Sequence, residues 1–378
     1  MLLRRALLLA AVSLAPALAC ACSDGAAGPS TTPPPATPAP DAGAGDAGPT
    51  RPAACVEQDT KLQATLDGAR KSANAMLAVR NDACGTSVYV SGDPASASTA
   101  SLWRVGSVTK TYVAATILTL VRDGKLSLED PLAKWVTGVP KTDGVTVRML
   151  LNHTSGIFNY TEVPAFFADP KKKWTPREIV DLATANDPYF APGKSWQYSN
   201  TNYVLLGMIA EKAGGAKVSA LVRARALEPA GLTHTFLDGE EPLVGSLATG
   251  FSKTGKDVTQ LSDMSGPWTA GAMAASGADL CDWVAQLFGE RKVLGEAELK
   301  LMIDDSIKLG FTQQRYGLGV MISNGGAAGT GYGHGGDISG FHTDAAWYPD
   351  KRTAVCAVVN QDGADPGAIT SAAIKALF

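Results

Sequence analysis

Strand-like runs lie near both ends of the globular part of the chain, with helical patterns between them. The runs that indicate strands are Ala75–Arg80, Thr86–Val90, Gly317–Ser323, Asp344–Tyr348 and Thr353–Asn360. If early and late strands belong to one sheet, the middle of the chain must be an insertion into that sheet. The sequence therefore predicts an α+β fold in which a helical region interrupts the sheet.

Length and charge limit the function classes that remain. The chain has 378 residues, of which 45% are hydrophobic, and a formal net charge of −3. Acidic and basic residues are interspersed, and no basic tract is present to neutralise a row of phosphates, so we expect no nucleic-acid partner. We predict one folded domain over residues 55–378, with a sheet subdomain at about 55–105 and 290–378 and a helical subdomain at about 106–289.

The first residues are typical of an export signal. Arg4 and Arg5 precede an apolar run, Ala6–Ala19, that is shorter than a membrane-spanning helix and contains a serine and a proline. A basic start followed by a short apolar segment is the pattern of a secretory signal peptide. We therefore predict that residues 1–22 direct export to the periplasm or the cell surface of a bacterium.

Two cysteines close this segment and leave two processing routes open. Cys20 and Cys22 follow an Ala-Leu-Ala sequence, and a cysteine there resembles the lipid-accepting residue of bacterial lipoproteins, although Ala17 departs from the usual lipobox. Residues 23–54 are almost entirely Ala, Pro, Gly, Ser and Thr. Such a segment has too little apolar surface to form a core, so it is predicted to be a disordered linker. A lipid anchor would attach this linker to the membrane.

Export also changes how the other cysteines are interpreted. Disulfides persist outside the cytoplasm. The predicted helix after Cys55 and the predicted strand that runs back toward its start have similar lengths, which brings Cys84 near Cys55. A Cys55–Cys84 disulfide is therefore a hypothesis. Cys281 and Cys356 lie in apolar patterns and are interpreted as buried free thiols. No spacing of Cys and His matches a zinc site, and we expect no metal and no cofactor.

An apolar helix carries the most informative pair of residues. The segment Val108–Val121 is apolar on nearly every side, which predicts a buried helix. Lys110 lies in its first turn, three residues after Ser107, so the two side chains share a face. Burial lowers the pKa of a lysine and makes it a base near neutral pH, while a helix N-terminus favours negative charge on the serine. Ser107 and Lys110 are therefore a candidate nucleophile and base.

Two further patterns follow this pair in the chain. Tyr198-Ser199-Asn200 and His334-Gly335-Gly336 each occur once, and the three patterns together carry more weight than any one of them. With the segment Arg104–Lys110, this set resembles the serine β-lactamase-related family, the branch that holds class C β-lactamases, D-alanyl-D-alanine carboxypeptidases and related esterases. The resemblance implies a β-lactamase/transpeptidase-like fold: an antiparallel sheet with flanking helices, an inserted all-helical domain and a cleft between them.

The resemblance also implies a catalytic role for each matching residue. Ser107 attacks a carbonyl to form an acyl-enzyme, and Lys110 takes the serine proton. Tyr198 passes this proton to the leaving group and later activates water. The backbone N–H groups of Ser107 and Asp337 form the oxyanion hole.

Substrate binding is assigned by the same resemblance. Asn200 hydrogen-bonds the substrate amide, and His334 lines the opposite wall of the cleft. Gly335 and Gly336 allow a substrate to approach the edge of a strand closely. Where class C β-lactamases have Lys-Thr-Gly, this chain has His-Gly-Gly, which weakens the prediction of an efficient β-lactamase because a histidine is mostly neutral at pH 7. If His334 binds an anion as a cation, activity on carboxylate substrates should fall above about pH 6.5.

Each of these residues also has a structural interpretation. Ser107 would cap its helix, Tyr198 would be a buried aromatic residue, and His334 would hold a strand. Asn200 is equally suited to be the N-cap of the helix that follows it, a role compatible with substrate binding. His153 lies in the stretch Leu150–Gly156, which also resembles the family, and is interpreted as a structural turn residue.

Three functions follow from the sequence, and we take them in this order. The first is an exported serine hydrolase of the D-alanyl-D-alanine carboxypeptidase type that acts on peptidoglycan-type peptides. The second keeps the chemistry with another substrate, as an esterase, a D-aminopeptidase or a weak β-lactamase. The third is a lipoprotein that binds cell-wall peptides or β-lactams without turnover.

Overall fold

The computed structural model describes residues 51–71, 73–310 and 312–378. The predicted signal segment and its two candidate lipidation sites, Cys20 and Cys22, lie outside the described residues, as does most of the predicted linker. The helices are α1 (Ala53–Ala69), α2 (Thr109–Arg122), α3 (Leu132–Trp135), α4 (Val147–Leu151), α5 (Pro176–Thr184), α6 (Asn200–Gly214), α7 (Val218–Val222), α8 (Trp268–Gly271), α9 (Gly277–Val284), α10 (Glu296–Asp304) and α11 (Pro366–Leu377). The strands are β1 (Ala75–Asn81), β2 (Gly85–Ser91), β3 (Leu102–Arg104), β4 (Thr235–Leu237), β5 (Met273–Ser276), β6 (Ile307–Lys308), β7 (Arg315–Tyr316), β8 (Met321–Asn324), β9 (Thr330–Ile338), β10 (Phe341–Tyr348) and β11 (Thr353–Val359).

The main sheet joins the two ends of the described chain. Its strand order is β2-β1-β11-β10-β9-β8-β7-β6, and neighbouring strands are antiparallel. In the register between β1 and β11, Ala75 pairs with Val359 and Asn81 pairs with Thr353. The predicted α+β fold, with early and late strands in one antiparallel sheet, is confirmed.

Both faces of this sheet are covered, because side chains alternate between two cores along each central strand. On one face, Leu77 of β1 and Val355 of β11 pack with Leu62 of α1 and Ile369 of α11. On the other face, residues such as Cys356 belong to the larger core, where α9 lies against the sheet. Strands that are buried on both sides carry continuous apolar runs, which explains why the sequence signal for β1 and β11 was strong.

The inserted region is not all-helical, and the prediction of an all-helical insertion is corrected here. Strands β4 and β5 pair with each other, and β5 also pairs with β3, so that they form a small antiparallel sheet. Each of these strands has only three or four residues. A segment of that length is too short to show a period-2 pattern, and the sequence therefore gave no signal for it.

One strand prediction near the end of the chain is revised, and one strand there was absent from the predicted runs. The predicted run Gly317–Ser323 is interrupted, because Gly319 adopts a φ of +78°, and a Cβ there would lie 2.4 Å from Ala114 Cβ. Only Met321–Asn324 continues as a strand. The strand β9 was missed because four of its nine residues are glycines, which are usually depleted in strands.

Helix α1 begins at Ala53, so the last two residues of the predicted linker are helical. Arg51 already forms an ion pair with Asp59 of this helix. Cys55 in α1 and Cys84, in the turn between β1 and β2, are joined by a disulfide with a Cα–Cα distance of 5.5 Å. This is the pair that the sequence analysis put forward, while Cys281 and Cys356 are buried and free.

Candidate active site

The turn that carries Ser107 lies between β3 and α2. Gly106 begins a short 3-10 turn with a φ of +52°, and a Cβ at this position would lie 2.6 Å from the backbone nitrogen of Asp337. Thr109 fixes the turn from inside: its hydroxyl donates to the Gly106 carbonyl at 2.6 Å and accepts from the Met273 N–H at 3.0 Å. Ser107 itself remains partly accessible to solvent.

Lys110 is completely buried beside this serine, and its nitrogen has three polar neighbours. Its Nζ lies 2.9 Å from Ser107 Oγ, 2.8 Å from Asn200 Oδ1 and 2.6 Å from the Ala270 carbonyl oxygen. Burial lowers the pKa of the Lys110 amine well below its ordinary value.

The partners of this amine determine how an uncharged Lys110 is oriented. The Ala270 carbonyl and the Asn200 Oδ1 can only accept hydrogen bonds, so they take the two N–H groups of a neutral amine. The lone pair then faces Ser107. In this arrangement the amine can accept the proton of the serine hydroxyl.

Tyr198 lies next to both residues. The Lys110 nitrogen is 4.9 Å from the centre of its ring. Burial raises the pKa of the Tyr198 phenol well above its ordinary value, and a hydrogen bond with Ser107 acts in the opposite direction without overcoming it. The resting phenol is therefore protonated, and it can donate a proton but cannot take one from Ser107.

Asn200 is the first residue of α6, and the prediction that it is the N-cap is corrected. The cap position belongs to Ser199, whose side chain makes no capping hydrogen bond. The Asn200 side chain instead bridges the site: Oδ1 accepts from Lys110, and Nδ2 donates to Thr161 Oγ1 at 3.3 Å. Its orientation is thus fixed by its contacts with Lys110 of α2 and with Thr161, and not by capping its own helix.

The opposite side of the site is the end of β9. Strand β8 pairs with β9 only over Thr330–Gly333, so the following residues leave this edge of the strand open. A Cβ at Gly336 would lie 2.0 Å from the Val105 carbonyl oxygen and 3.1 Å from the Ser107 nitrogen. Because Gly336 has no side chain, the Asp337 backbone can approach the Ser107 turn closely.

His334 does not have the environment of a cationic binding group. Its side chain is only 3% exposed, and its Nε2 lies 2.9 Å from the Tyr316 hydroxyl, while its Nδ1 contacts the Gly335 carbonyl. Burial, together with the nearby Lys110, lowers the pKa of His334 to about 3. This environment agrees with a mostly neutral histidine and disfavours the alternative in which His334 binds an anion as a cation, because both ring nitrogens are engaged.

His153 is fully buried at the centre of an aromatic cluster. Its Nε2 lies 3.2 Å from the Tyr316 hydroxyl, and its ring centre is 4.3 Å from that of Tyr198. A φ of +62° at His153 agrees with the predicted turn. In the sequence, His153 and Tyr316 each stand out in an apolar or turn segment, but no local pattern indicates that the two side chains meet.

Within the described part of the chain, no group of three or more His, Cys, Asp or Glu side chains is arranged to hold a metal ion. None of the described helices combines the length and apolar character needed to cross a membrane.

The sheet, the inserted region and the Ser107–Lys110–Tyr198 arrangement are those expected of the family that the sequence resembles. The model of the family named Beta-lactamase matches residues 29–377, and the chain belongs to this family. The resemblance and the fold inferred from the sequence are thereby confirmed.

Solved structures and curated relatives with similar sequences support this assignment. A D-stereospecific amidohydrolase from a Streptomyces species is 31% identical, with a TM-score of 0.74 over 83% of this chain and 97% of the other. A D-amino acid amidase from Ochrobactrum anthropi SV3 is 27% identical, with a TM-score of 0.78 over 85% and 98%. A penicillin-binding protein of Bacillus subtilis (strain 168) is 40% identical over 141 residues, which are 36% of this chain and 31% of the relative. The chain spans between about a third and just under two thirds of the first curated relatives it matches.

Proposed function

We propose that Ser107 is the nucleophile of an amide hydrolase and that Lys110 is its general base. The observation that carries this proposal is the Lys110 nitrogen, 2.9 Å from Ser107 Oγ, with two other neighbours that can only accept hydrogen bonds. In acylation, the Ser107 oxygen bonds to the substrate carbonyl carbon while its proton moves to Lys110. The lysine thus gains a positive charge next to the negative tetrahedral oxygen.

The remaining steps use the groups around this pair. Backbone N–H groups of Ser107 and Asp337 stabilise the oxyanion. Tyr198, protonated at rest, donates its proton to the leaving nitrogen and is reprotonated from Lys110, so the amine departs neutral and the acyl-enzyme remains. Water then releases the acid and restores the serine. Asn200, Gly335 and Gly336 form the substrate-binding walls.

We further propose that the preferred substrates are amides of D-amino acids with a free amino group. A D-alanyl-D-alanine carboxypeptidase must bind the carboxylate of its substrate, whereas burial lowers the pKa of both Lys110 and His334 and so disfavours a positive charge on either side chain. The exposed charged group near Ser107 is instead the carboxylate of Asp337, whose side chain is 70% accessible to solvent.

The charge beside Asp337 supports binding of a cation. His342, whose pKa is raised to about 9 by its two acidic neighbours against the effect of burial, lies between Asp337 and Asp362. Two carboxylates and one imidazolium leave one net negative charge. An ammonium group of the substrate would compensate this charge, whereas a carboxylate would be repelled. The two amidase-type solved structures, which match over nearly their full length, are consistent with this preference.

D-Alanyl-D-alanine carboxypeptidase activity remains the second candidate. It is favoured by the penicillin-binding relative, whose matching segment is the most similar in sequence among those compared above. A non-hydrolysing binding protein is the weakest candidate, because it would not need the buried amine beside Ser107.

A panel of substrates tests this ranking. Purified protein is given D-alaninamide, L-alaninamide and a peptide ending in D-Ala-D-Ala, and the release of ammonia or of D-alanine is followed, with Ser107→Ala as the blank. We expect D-alaninamide to have the highest kcat/KM. Faster release of D-alanine from the peptide would overturn the amide preference in favour of the carboxypeptidase, and a stoichiometric adduct without turnover would overturn both.

For location, we propose that the protein acts after export, in the periplasm or attached to the membrane through a lipid on Cys20 or Cys22. The support is the basic and apolar pattern of residues 1–22. Intact-mass analysis of protein from a bacterial membrane fraction, before and after lipase treatment, tests this. An unmodified cysteine at both positions would contradict the lipid anchor.

A further inference from the structure

A continuous line of buried hydrogen bonds connects the two sides of the active site. It begins at the backbone N–H of Ser199, between Tyr198 and the start of α6, and it ends at the backbone carbonyl of Gly335 on β9. The side chains between these ends are His153, Tyr316 and His334, all at most 3% exposed. Two of them, His153 and Tyr316, have no place in the chemistry proposed above.

The first end fixes the tautomer of His153. The Ser199 N–H can only donate, and it lies 3.2 Å from His153 Nδ1. This nitrogen must therefore carry the lone pair, and in a neutral ring the proton is on Nε2. The Asn202 amide nitrogen, 3.2 Å from the same Nδ1, agrees, because its Oδ1 is already taken by the Ser155 hydroxyl at 2.7 Å.

The second end fixes His334 independently. The Gly335 carbonyl can only accept, so His334 Nδ1 carries the proton and Nε2 carries the lone pair. The Tyr316 hydroxyl lies between the two rings, 3.2 Å from His153 Nε2 and 2.9 Å from His334 Nε2. It accepts from the first ring and donates to the second. Both ends thus require the same direction, from the Ser199 N–H to the Gly335 carbonyl.

We propose that His153 and Tyr316 are positioning residues that hold the two walls of the active site in register through this directed hydrogen-bond relay. The relay holds the Gly335 carbonyl and so orients the Gly335–Gly336 segment, which has little conformational preference of its own because both residues are glycines. Asp337 follows this segment, and its N–H forms part of the proposed oxyanion hole. At its other end the relay holds the backbone next to Tyr198.

The test compares two buried tyrosines. Tyr316→Phe removes the hydroxyl that links the two rings, whereas Tyr112→Phe removes an equally buried hydroxyl that has no hydrogen-bond partner in the described part of the chain and packs on Trp283. Acylation is measured as the burst of p-nitrophenolate from p-nitrophenyl acetate, an activated ester that does not depend on the D-amino-acid preference. The temperature is kept at least 15 °C below the unfolding midpoint of each variant, so that differences in stability do not enter.

The expected result is a 10- to 100-fold slower acylation for Tyr316→Phe, with KM changed by less than about threefold, because misplacement of catalytic groups by about 1 Å lowers rates on this scale. Tyr112→Phe should remain within about twofold of the unsubstituted protein. Equal acylation rates for the two folded variants would overturn the proposal.

Nitrogen-15 NMR of the unsubstituted protein tests the relay without any variant that must fold. The chain has four histidines, so assignment by single substitution is practical. We expect the Nε2–H tautomer for His153 and the Nδ1–H tautomer for His334; in Tyr316→Phe we expect His334 to keep this tautomer, because the Gly335 carbonyl still accepts from Nδ1, and its Nε2 resonance to shift as the hydrogen bond from Tyr316 is lost. The opposite tautomer at either ring of the unsubstituted protein would overturn the relay, even if Tyr316→Phe failed to fold.

A pair of substitutions at His153 separates its two nitrogens. His153→Gln places an amide donor near the Nε2 position, and His153→Asn places an acceptor near the Nδ1 position. We expect His153→Gln to retain more acylation activity, because it can still donate to Tyr316. A higher rate for His153→Asn would contradict the direction of the relay.

Discussion

Replacing Lys110 by methionine is the perturbation whose result the structure specifies most closely. Methionine is similar in volume to lysine but has no amine. Ser107 therefore loses the nitrogen that lies 2.9 Å from its oxygen. Tyr198 cannot replace it as the base, because its phenol is protonated at rest. We expect acylation to slow by more than about 100-fold, which corresponds to about 2.7 kcal/mol in the activation free energy.

The effect on folding should be much smaller. The substitution leaves the Ala270 carbonyl and Asn200 Oδ1 without a donor, a loss of about 1 kcal/mol each. Removing a fully buried amine relieves its desolvation cost, which acts in the opposite direction. We therefore expect the free energy of unfolding to change by no more than about 2 kcal/mol.

The assay is the acylation burst, measured next to urea unfolding of the same preparations. Thr116→Ala is the control for disturbing this helix, because Thr116 is also fully buried in α2 and its hydroxyl donates to the Tyr112 carbonyl of the same helix. It should acylate at nearly the normal rate. A folded Lys110→Met protein that acylates within tenfold of the normal rate would refute the role of Lys110 as the base.

Three further results are expected. Gly336→Ala should lower the free energy of unfolding by about 1–3 kcal/mol and slow acylation, because its Cβ would meet a backbone carbonyl at 2.0 Å; Gly335→Ala, whose nearest neighbour would be 3.7 Å away, should retain normal stability in the same urea titration. The folded state lowers the pKa of His334 to about 3, so its stabilising contribution is complete above about pH 6.5 and is lost as the pH falls toward 3, at up to about 1.4 kcal/mol per pH unit. The free energy of unfolding of His334→Asn should therefore fall less steeply in acid. An unchanged slope would contradict the neutral buried ring. Reduction of the Cys55–Cys84 disulfide should lower the free energy of unfolding by about 3 kcal/mol, as measured by urea unfolding with and without dithiothreitol; an identical transition in both conditions would contradict it.

The parts of the fold that sequence predicts well are those with a strong local pattern. Strands β1 and β11 are buried on both faces, so each appears as a continuous apolar run. Helix α2 is apolar on nearly all sides for the same reason, and its lysine stands out against that background. Burial pattern and chemistry thus coincide at Lys110, which is why the pair with Ser107 was identifiable.

The parts that sequence did not predict depend on tertiary contacts. Strand β9 lies close to the Ser107 turn because it has glycines there. At Gly336 the neighbouring atom is the carbonyl oxygen of Val105, which is 231 positions away in the sequence. The charge of His334 depends on its burial and on Lys110, neither of which its neighbours in sequence reveal. His153 and Tyr316 meet only through the fold, since 163 positions separate them.

The titration of Lys110 tests the central claim most directly. With lysine carbon-13 labelling, the resonances of Lys110 are identified by their absence in Lys110→Met and followed with pH in the free protein. We predict that Lys110 loses its proton at a clearly lower pH than the exposed lysines, because burial lowers its pKa. A Lys110 that titrates together with them, near pH 10.4, would contradict a neutral amine beside Ser107 at rest.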